Sequence, residues 1–209
     1  MKVLHIAECA GGVERYLAML LPLLKEKGVV QVLACSHDYD TEKFRSLVDE
    51  VRQMNLRQSF SARAIFTQVK RLRAVIGEVR PDVVYCHSSF AGGLGRLAVR
   101  MSSDVKVVYN PHGWAFDMGA ALSDSEEVCP SKKQLLYLRI ERMLARWTDR
   151  IVCISKAERE SAFQVLDIAV FYFICYYGSA FCVTYFTYVR KAMKNTKIYQ
   201  NKFLEILNQ

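Results

Sequence analysis

Short apolar runs rich in valine and isoleucine recur along the chain, and segments with the period of an amphipathic helix separate them. Strands that are apolar on both faces are typical of a parallel sheet that helices cover on its two sides. The pattern predicts strands at residues 2–7, 29–35, 82–86, 105–109 and 150–154, with a further short strand near residue 57. This alternation makes a Rossmann-like, doubly wound parallel α/β sheet the predicted fold.

Three stripes of apolar residues at helical spacing identify the helices that are expected to cover this sheet. The first stripe contains Pro22, which should kink or divide its helix, and it ends at Gly28. The second stripe ends before Pro81, and the third follows Pro130. The stripe residues, which we expect in the core rather than around a cofactor, are Val13, Tyr16, Leu17, Leu20, Leu21 and Leu24; Ile65, Val69, Leu72, Ile76 and Val79; and Leu136, Ile140, Met143, Leu144 and Trp147.

The composition changes after Ala162, which divides the chain into a predicted domain over 1–162 and a tail over 163–209. Residues 168–189 carry no charged side chain over 22 positions, and Arg190 and Lys191 follow them. Such a run predicts a membrane-spanning helix with its basic end in the cytoplasm, because about 20 apolar residues cross a bilayer. Two alternatives stay open: a buried helix or strand pair, or the product of a disrupted reading frame.

Charge and cysteine content narrow the class of protein. The net charge of +8 suits anionic partners such as phosphates or a membrane surface, but it selects none of them. The seven cysteines are odd in number, and none in the main body has C-x-x-C spacing, so we expect neither a metal site nor a disulfide framework. The N-terminus reads as a short strand rather than a signal peptide, which predicts a cytoplasmic protein.

Small and polar residues follow the predicted strands. In an open parallel sheet, ligands bind beyond the carboxyl ends of the strands, so these residues are the candidates for a site. They are Gly11, Gly12, Glu14 and Arg15 after the first strand; His87, Ser88, Gly92 and Gly93 after the strand at 82–86; and His112 and Gly113 after the strand at 105–109.

The chemistry of these residues suits an anion or a sugar. Gly11 and Gly12 open a helix, where unhindered backbone N–H groups can face a phosphate, although a tight turn that needs glycine explains them as well. Neither a G-x-G-x-x-G fingerprint nor a P-loop is present. His112 could donate a hydrogen bond to a phosphate or to a sugar hydroxyl, or it could be structural.

Four residues have a structural interpretation that competes with a functional one or replaces it. We expect His5, within the first strand, to be a core residue, while His87 could be structural or functional. Ser155 and Glu158 have the spacing of a capping box, which would explain both residues without a ligand.

Four segments together resemble the N-terminal domain of the bacterial family 4 retaining glycosyltransferases, which have the GT-B fold. They are the first strand with its G-G-V-E-R turn, the strand D-V-V-Y-C-H, the turn N-P-H-G, and the strand D-R-I-V-C-I-S-K. These segments occur in the order and at the spacing of that family, over residues 1–162. As a set they are specific, whereas each segment alone is weak.

The resemblance implies that a hexose is transferred from a nucleotide-diphosphate sugar to a sugar or lipid-linked glycan acceptor, with retention and without a cofactor. It places Gly11 and Gly12 near the donor diphosphate and the catalytic His112 near the transferring sugar. The acceptor cleft would contain Glu14, Arg15, His87, Ser88, Gly92, Gly93 and Gly113. It further implies work at the inner face of the cell membrane, and no nucleic-acid partner.

The sequence departs from the family in one respect. The E-x7-E element and the nucleotide pocket of the family's second domain are not present, and the spacing of Glu42 and Glu50 is coincidental, because we expect both on a charged helix. The chain is therefore expected to be a truncated glycosyltransferase that is inactive alone. The alternative is a non-catalytic acceptor-binding or membrane-tethered module.

Overall fold

The computed structural model describes residues 1–56, 58–100, 104–117, 131–166, 170–177 and 180–187, and of 163–166, 170–177 and 180–187 it describes the backbone. The strands are β1 (Lys2–Ala7), β2 (Val30–Ser36), β3 (Glu50–Met54), β4 (Val83–His87), β5 (Lys106–Asn110), β6 (Arg150–Cys153), β7 (Val170–Tyr177) and β8 (Ala180–Thr187). The helices are α1 (Gly11–Glu26), α2 (Glu42–Arg45), α3 (Ala62–Val79), α4 (Ser89–Val99), α5 (Lys132–Ala145) and α6 (Lys156–Leu166). By internal contacts the chain forms two units, 1–109 and 110–209, and each is described by itself.

The first unit is a parallel sheet with β1 at its centre. Its strands follow the order β3-β2-β1-β4-β5. β1 pairs in parallel with both β2 and β4, and β2 pairs in parallel with β3. Every residue of β4 is buried, as are all residues of β1 after Lys2, because helices cover both faces of these strands. The predicted doubly wound α/β sheet is confirmed, and β1, β2, β4 and β5 begin and end within about one residue of the predicted bounds.

The helix α1 confirms the first predicted stripe residue by residue. Its buried residues are Val13, Tyr16, Leu17, Leu20, Leu21 and Leu24. Pro22 lies inside the helix without ending it. Gly28 follows the helix with a φ of +72°, where its lack of a β-carbon permits the turn into β2.

The segment after β2 differs from the prediction. The expected charged helix is a single turn, α2, and Glu50 begins the strand β3 instead. A strand at the edge of a sheet leaves one side open to solvent, so charged side chains are tolerated there. Arg52 of β3 forms ion pairs with Glu50 and Glu78. The short strand that was predicted near residue 57 thus lies at 50–54, and residue 57 itself lies outside the described residues.

In the second unit, the prediction for α5 is wrong in part. Leu144 is buried as expected, but Leu136 is 56% exposed and Met143 is 42% exposed. The buried side of the helix instead contains Glu141 and Leu144, which are three positions apart and therefore share a face. The inward face is rotated relative to the apolar stripe of the sequence.

The apolar tail contains strands over most of the predicted membrane helix. β6 pairs in parallel with β7, and β7 pairs in antiparallel fashion with β8. Both segments are rich in aromatic and β-branched residues, which favour strands. Among the described residues, no helix is both long and apolar enough to cross a membrane. The described backbone thus forms a strand pair at 170–177 and 180–187, while the burial of the tail and a domain boundary at residue 162 stay predictions.

We predict that Gly92→Ala lowers the free energy of unfolding by about 1 to 3 kcal/mol, the usual cost of overpacking. A β-carbon on Gly92 would lie 2.5 Å from Cε2 of Tyr109. The Tyr109 ring cannot easily move, because it is fully buried and the Arg96 guanidinium lies 3.6 Å from its centroid.

Urea denaturation measures this effect, with Gly77→Ala as the matched control. Gly77 also lies in a helix, but a β-carbon there would meet no atom within 4 Å in the part of the chain that the structure describes. The free energy of unfolding of Gly77→Ala should therefore rise by up to about 1 kcal/mol, because alanine has a higher helix propensity than glycine. A Gly92→Ala variant as stable as the wild type would contradict the close packing.

Candidate functional site

The start of α1 is an open helix terminus at the end of β1. Ala10 occupies the N-cap position, and no side chain caps the helix. Gly11 has a φ of +57°, and β-carbons on Gly11 or Gly12 would meet no atom of the described residues within 4 Å. Unhindered N–H groups at the positive end of a helix dipole can hold an anion. The geometry is compatible with the diphosphate role that the resemblance implies, which stays a prediction.

Glu8 is a buried carboxylate that links the ends of β1 and β4. Its Oε2 accepts a 2.6 Å hydrogen bond from Ser88 Oγ, and its Oε1 accepts one of 2.8 Å from Gln58 Nε2. Only 8% of Glu8 is exposed. Ser88 has a φ of +66°, a conformation that non-glycine residues seldom adopt. Ser88 thus lies at the predicted edge of the sheet, and Glu8 fixes its side chain.

His87 is placed in the core rather than on the surface. Its side chain is fully buried, and its Nε2 lies 3.3 Å from Nδ1 of His5. The ring of Tyr85 lies 4.2 Å from the His87 ring, between centroids. Burial lowers the pKa of His5 to about 3, so that imidazole is neutral at physiological pH. The core prediction for His5 is confirmed, and the burial of His87 favours its structural alternative.

The other predicted acceptor residues differ in their surroundings. Glu14 forms an ion pair with Lys43, and Arg15 is exposed. Gly93 is half-buried, whereas Gly92 is buried against Tyr109. Gly92 therefore has a packing reason to be glycine, and the acceptor roles of these residues stay predictions.

The second unit contains the His112–Gly113 turn. His112 has a φ of +53° and Gly113 a φ of +104°, so two successive residues are left-handed. The His112 N–H donates a 3.1 Å hydrogen bond to Oδ1 of Asn110. Burial lowers the pKa of His112 to about 4. The imidazole is therefore neutral at physiological pH, so it can exchange hydrogen bonds with a hydroxyl group but supplies no positive charge.

Glu158 corrects the prediction of a simple capping box. Ser155 Oγ does accept a hydrogen bond from the Glu158 N–H, as predicted. The Glu158 carboxylate, however, accepts 2.6 Å hydrogen bonds from the N–H groups of Gly113 and Ile154. Burial raises the pKa of Glu158, and these two backbone donors act in the opposite direction. A residue that the sequence explained as a helix cap thus also contacts the predicted site.

The cysteines of the described part of the chain lie in the core. Cys9, Cys35, Cys86 and Cys153 are buried free thiols, as expected for small apolar residues. Among the described residues, no three side chains of histidine, cysteine, aspartate or glutamate are grouped so that they could hold a metal ion.

The parallel sheet of the first unit defines a Rossmann-like fold of the kind found in GT-B proteins. The family model described as Glycosyltransferase Family 4 matches residues 10–169. This match covers most of the chain, and the chain therefore belongs to glycosyltransferase family 4.

Two curated relatives are similar over part of the chain. EpsD of Bacillus subtilis (strain 168), provisionally named a glycosyltransferase, is 32% identical over 113 residues, which are 53% of this chain and 27% of EpsD. An Escherichia coli UDP-Gal:alpha-D-GlcNAc-diphosphoundecaprenol alpha-1,3-galactosyltransferase is 31% identical over 87 residues, which are 42% of this chain and 20% of that enzyme. The matched segments span about a quarter of the length of these relatives.

A solved structure confirms the fold. Sucrose-phosphate synthase from Thermosynechococcus elongatus matches with a TM-score of 0.62 at 14% identity, over 84% of this chain and 48% of that one. At this identity the similarity concerns the fold alone.

We predict that the protein loses stability as the pH falls from about 6.5, the ordinary pKa of histidine, towards about 3, the pKa of folded His5. In that window the unfolded chain binds a proton at residue 5 and the folded chain does not, so acid favours unfolding. Each unit of pKa difference corresponds to about 1.4 kcal/mol.

Urea denaturation at about pH 7 and about pH 5 measures this dependence, under the linkage relation. His5→Gln should reduce the change between the two conditions, whereas His37→Gln, at an exposed position, serves as the control. An unchanged pH dependence in His5→Gln would contradict a neutral, buried His5.

Proposed function

We propose that this chain forms the acceptor-side half of a retaining glycosyltransferase, which transfers a hexose from a nucleotide-diphosphate sugar to a sugar or lipid-linked glycan acceptor. The observation that carries the proposal is the family match over residues 10–169, which includes every predicted site residue. The name of the Escherichia coli relative, which acts on a diphosphoundecaprenol-linked sugar, supports a lipid-linked acceptor.

In this proposal the chain contributes hydrogen-bond donors and shape rather than a nucleophile. The N–H groups of Gly11 and Gly12 bind the donor diphosphate, and the neutral imidazole of His112 hydrogen-bonds a hydroxyl of the transferring sugar. Glu14, Arg15, Ser88, Gly93 and Gly113 contact the acceptor. Fixed donors of this kind accelerate a reaction by orienting the reactants and by stabilising developing charge.

Turnover in this proposal also requires a donor domain with an E-x7-E element, because the residues that hold the nucleotide lie there in the family. The relatives are several times longer than the segments they share with this chain. We propose that residues 1–209 alone bind an acceptor without transferring a sugar.

The start of α3 supports a membrane-surface partner for the proposed enzyme. Phe60 and Phe66 are 68% and 70% exposed, and the basic residues Arg63 and Lys70 are exposed near them in sequence. Aromatic rings insert at the level of lipid headgroups, and basic side chains are attracted to anionic lipids. We propose that this segment rests on the anionic surface in which a lipid-linked acceptor is embedded.

Vesicle co-sedimentation tests the membrane proposal. The double variant Phe60→Ser/Phe66→Ser should bind phosphatidylglycerol vesicles at least about tenfold more weakly than the wild type, because each buried phenylalanine contributes roughly 1.5 to 3 kcal/mol. Leu23→Ser serves as the control, since Leu23 is an exposed apolar residue on α1, 41% accessible. Equal binding by the double variant and the wild type would refute this contact.

A chimera tests the enzymatic proposal, with residues 1–162 joined to the second half of the Bacillus subtilis relative. His112→Ala should lower kcat by about 100-fold or more, the usual effect of removing one oriented donor from an active site. Its melting temperature should change little, and His37→Ala is the matched control. Similar losses of activity and stability would refute a role for His112 in the reaction.

A further inference from the structure

The His112–Gly113 turn has a backbone conformation that needs external support. A non-glycine residue at positive φ, as at His112, costs about 1 to 2 kcal/mol. Such residues persist only where surrounding contacts determine their conformation. The Asn110 side chain provides one contact, by accepting the His112 N–H, but it leaves the next N–H group, that of Gly113, to a partner outside the turn.

Glu158 holds this turn through both its side chain and its backbone. Its Oε1 accepts the Gly113 N–H at 2.6 Å, and its backbone carbonyl accepts the indole N–H of Trp114 at 2.7 Å. Trp114 is 2% exposed and Glu158 is 6% exposed, so water competes little for either hydrogen bond. Two successive residues of the loop are thereby attached to one residue that is 45 positions away from Gly113.

The second carboxylate oxygen of Glu158 connects the His112–Gly113 turn to the end of β6. Its Oε2 accepts the N–H of Ile154, directly after β6, at 2.6 Å. One carboxylate thus connects the loop after β5 with the loop after β6. An ionised carboxylate can accept both N–H groups at once, whereas an amide side chain has only one accepting atom.

We propose that Glu158 is a positioning residue, whose carboxylate keeps the His112–Gly113 turn left-handed and so sets the direction of the His112 imidazole. The consequence for catalysis rests on the proposed function of His112. The positioning itself concerns the free protein and is independent of sugar transfer. Glu158 contacts no substrate in this proposal; it acts through His112.

NMR spectroscopy of the full chain tests the proposal with Glu158→Gln. Hydrogen exchange of the Gly113 or Ile154 amide should become at least about tenfold faster, because the glutamine NH₂ group replaces one of the two accepting oxygens and faces one of the N–H groups. The imidazole signals of His112 should shift, while those of His5 and His87, in the core of the first unit, should stay unchanged.

Ser155→Ala is the matched control. This variant removes the hydrogen bond between Ser155 Oγ and the Glu158 N–H, and so weakens the same helix terminus without altering the carboxylate. It should reduce stability without shifting the His112 signals. The proposal is overturned if Glu158→Gln leaves the His112 signals and both amides unchanged, or if Ser155→Ala shifts His112 equally.

The outcome also separates this proposal from the proposed function. If the spectra of Glu158→Gln match those of the wild type, positioning by Glu158 is rejected, whether or not the chimera transfers a sugar. A shifted His112 in an enzyme whose His112→Ala variant retains full activity rejects the catalytic role and leaves the positioning intact.

Discussion

The parallel pairing of β1 with β2 and β4 is the interaction on which the first unit depends. Because these strands run in the same direction, Ala7 of β1 and His87 of β4 end at the same edge of the sheet. The chain leaves that edge through the Gly11–Gly12 loop and through Ser88. The burial of β1 on both faces fixes this arrangement, since any slip in register would place apolar side chains against the wrong neighbours.

Buried carboxylates stabilise the loops in both units. Glu8 accepts hydrogen bonds from Ser88 and Gln58 in the first unit, and Glu158 accepts them from Gly113 and Ile154 in the second. Each carboxylate thus connects segments that are distant in sequence, near residues predicted to contact substrate. Charge-assisted hydrogen bonds of this kind are stronger than neutral ones, which suits loops with unusual backbone conformations.

The sequence predicted the features that depend on local periodicity. The strands β1, β2, β4 and β5 and the six buried residues of α1 follow from apolar runs and helical spacing, and the structure confirms them. The sequence did not predict the features that depend on contacts between residues far apart in the chain. The sequence explained Glu158 as a helix cap, because its hydrogen bond to Gly113 cannot be inferred from neighbouring residues. In α5, Leu136 is exposed and Glu141 is buried, the reverse of what the apolar stripe predicts. A carboxylate directly after a strand is a local signal for a site residue, and Glu8 has it, whereas Glu158 lies inside α6 and lacks it.

The most direct measurement of the central claim is an NMR titration of the chain with short-chain polyprenyl-diphosphate sugars. The account predicts shifts at the residues proposed to contact the acceptor, which follow β1, β4 and β5 in the chain: Glu14, Arg15, Ser88, Gly93 and Gly113. Shifts confined to residues at the opposite edge, such as Arg80 and Asp104, or no shifts across the series of sugars, would contradict the account.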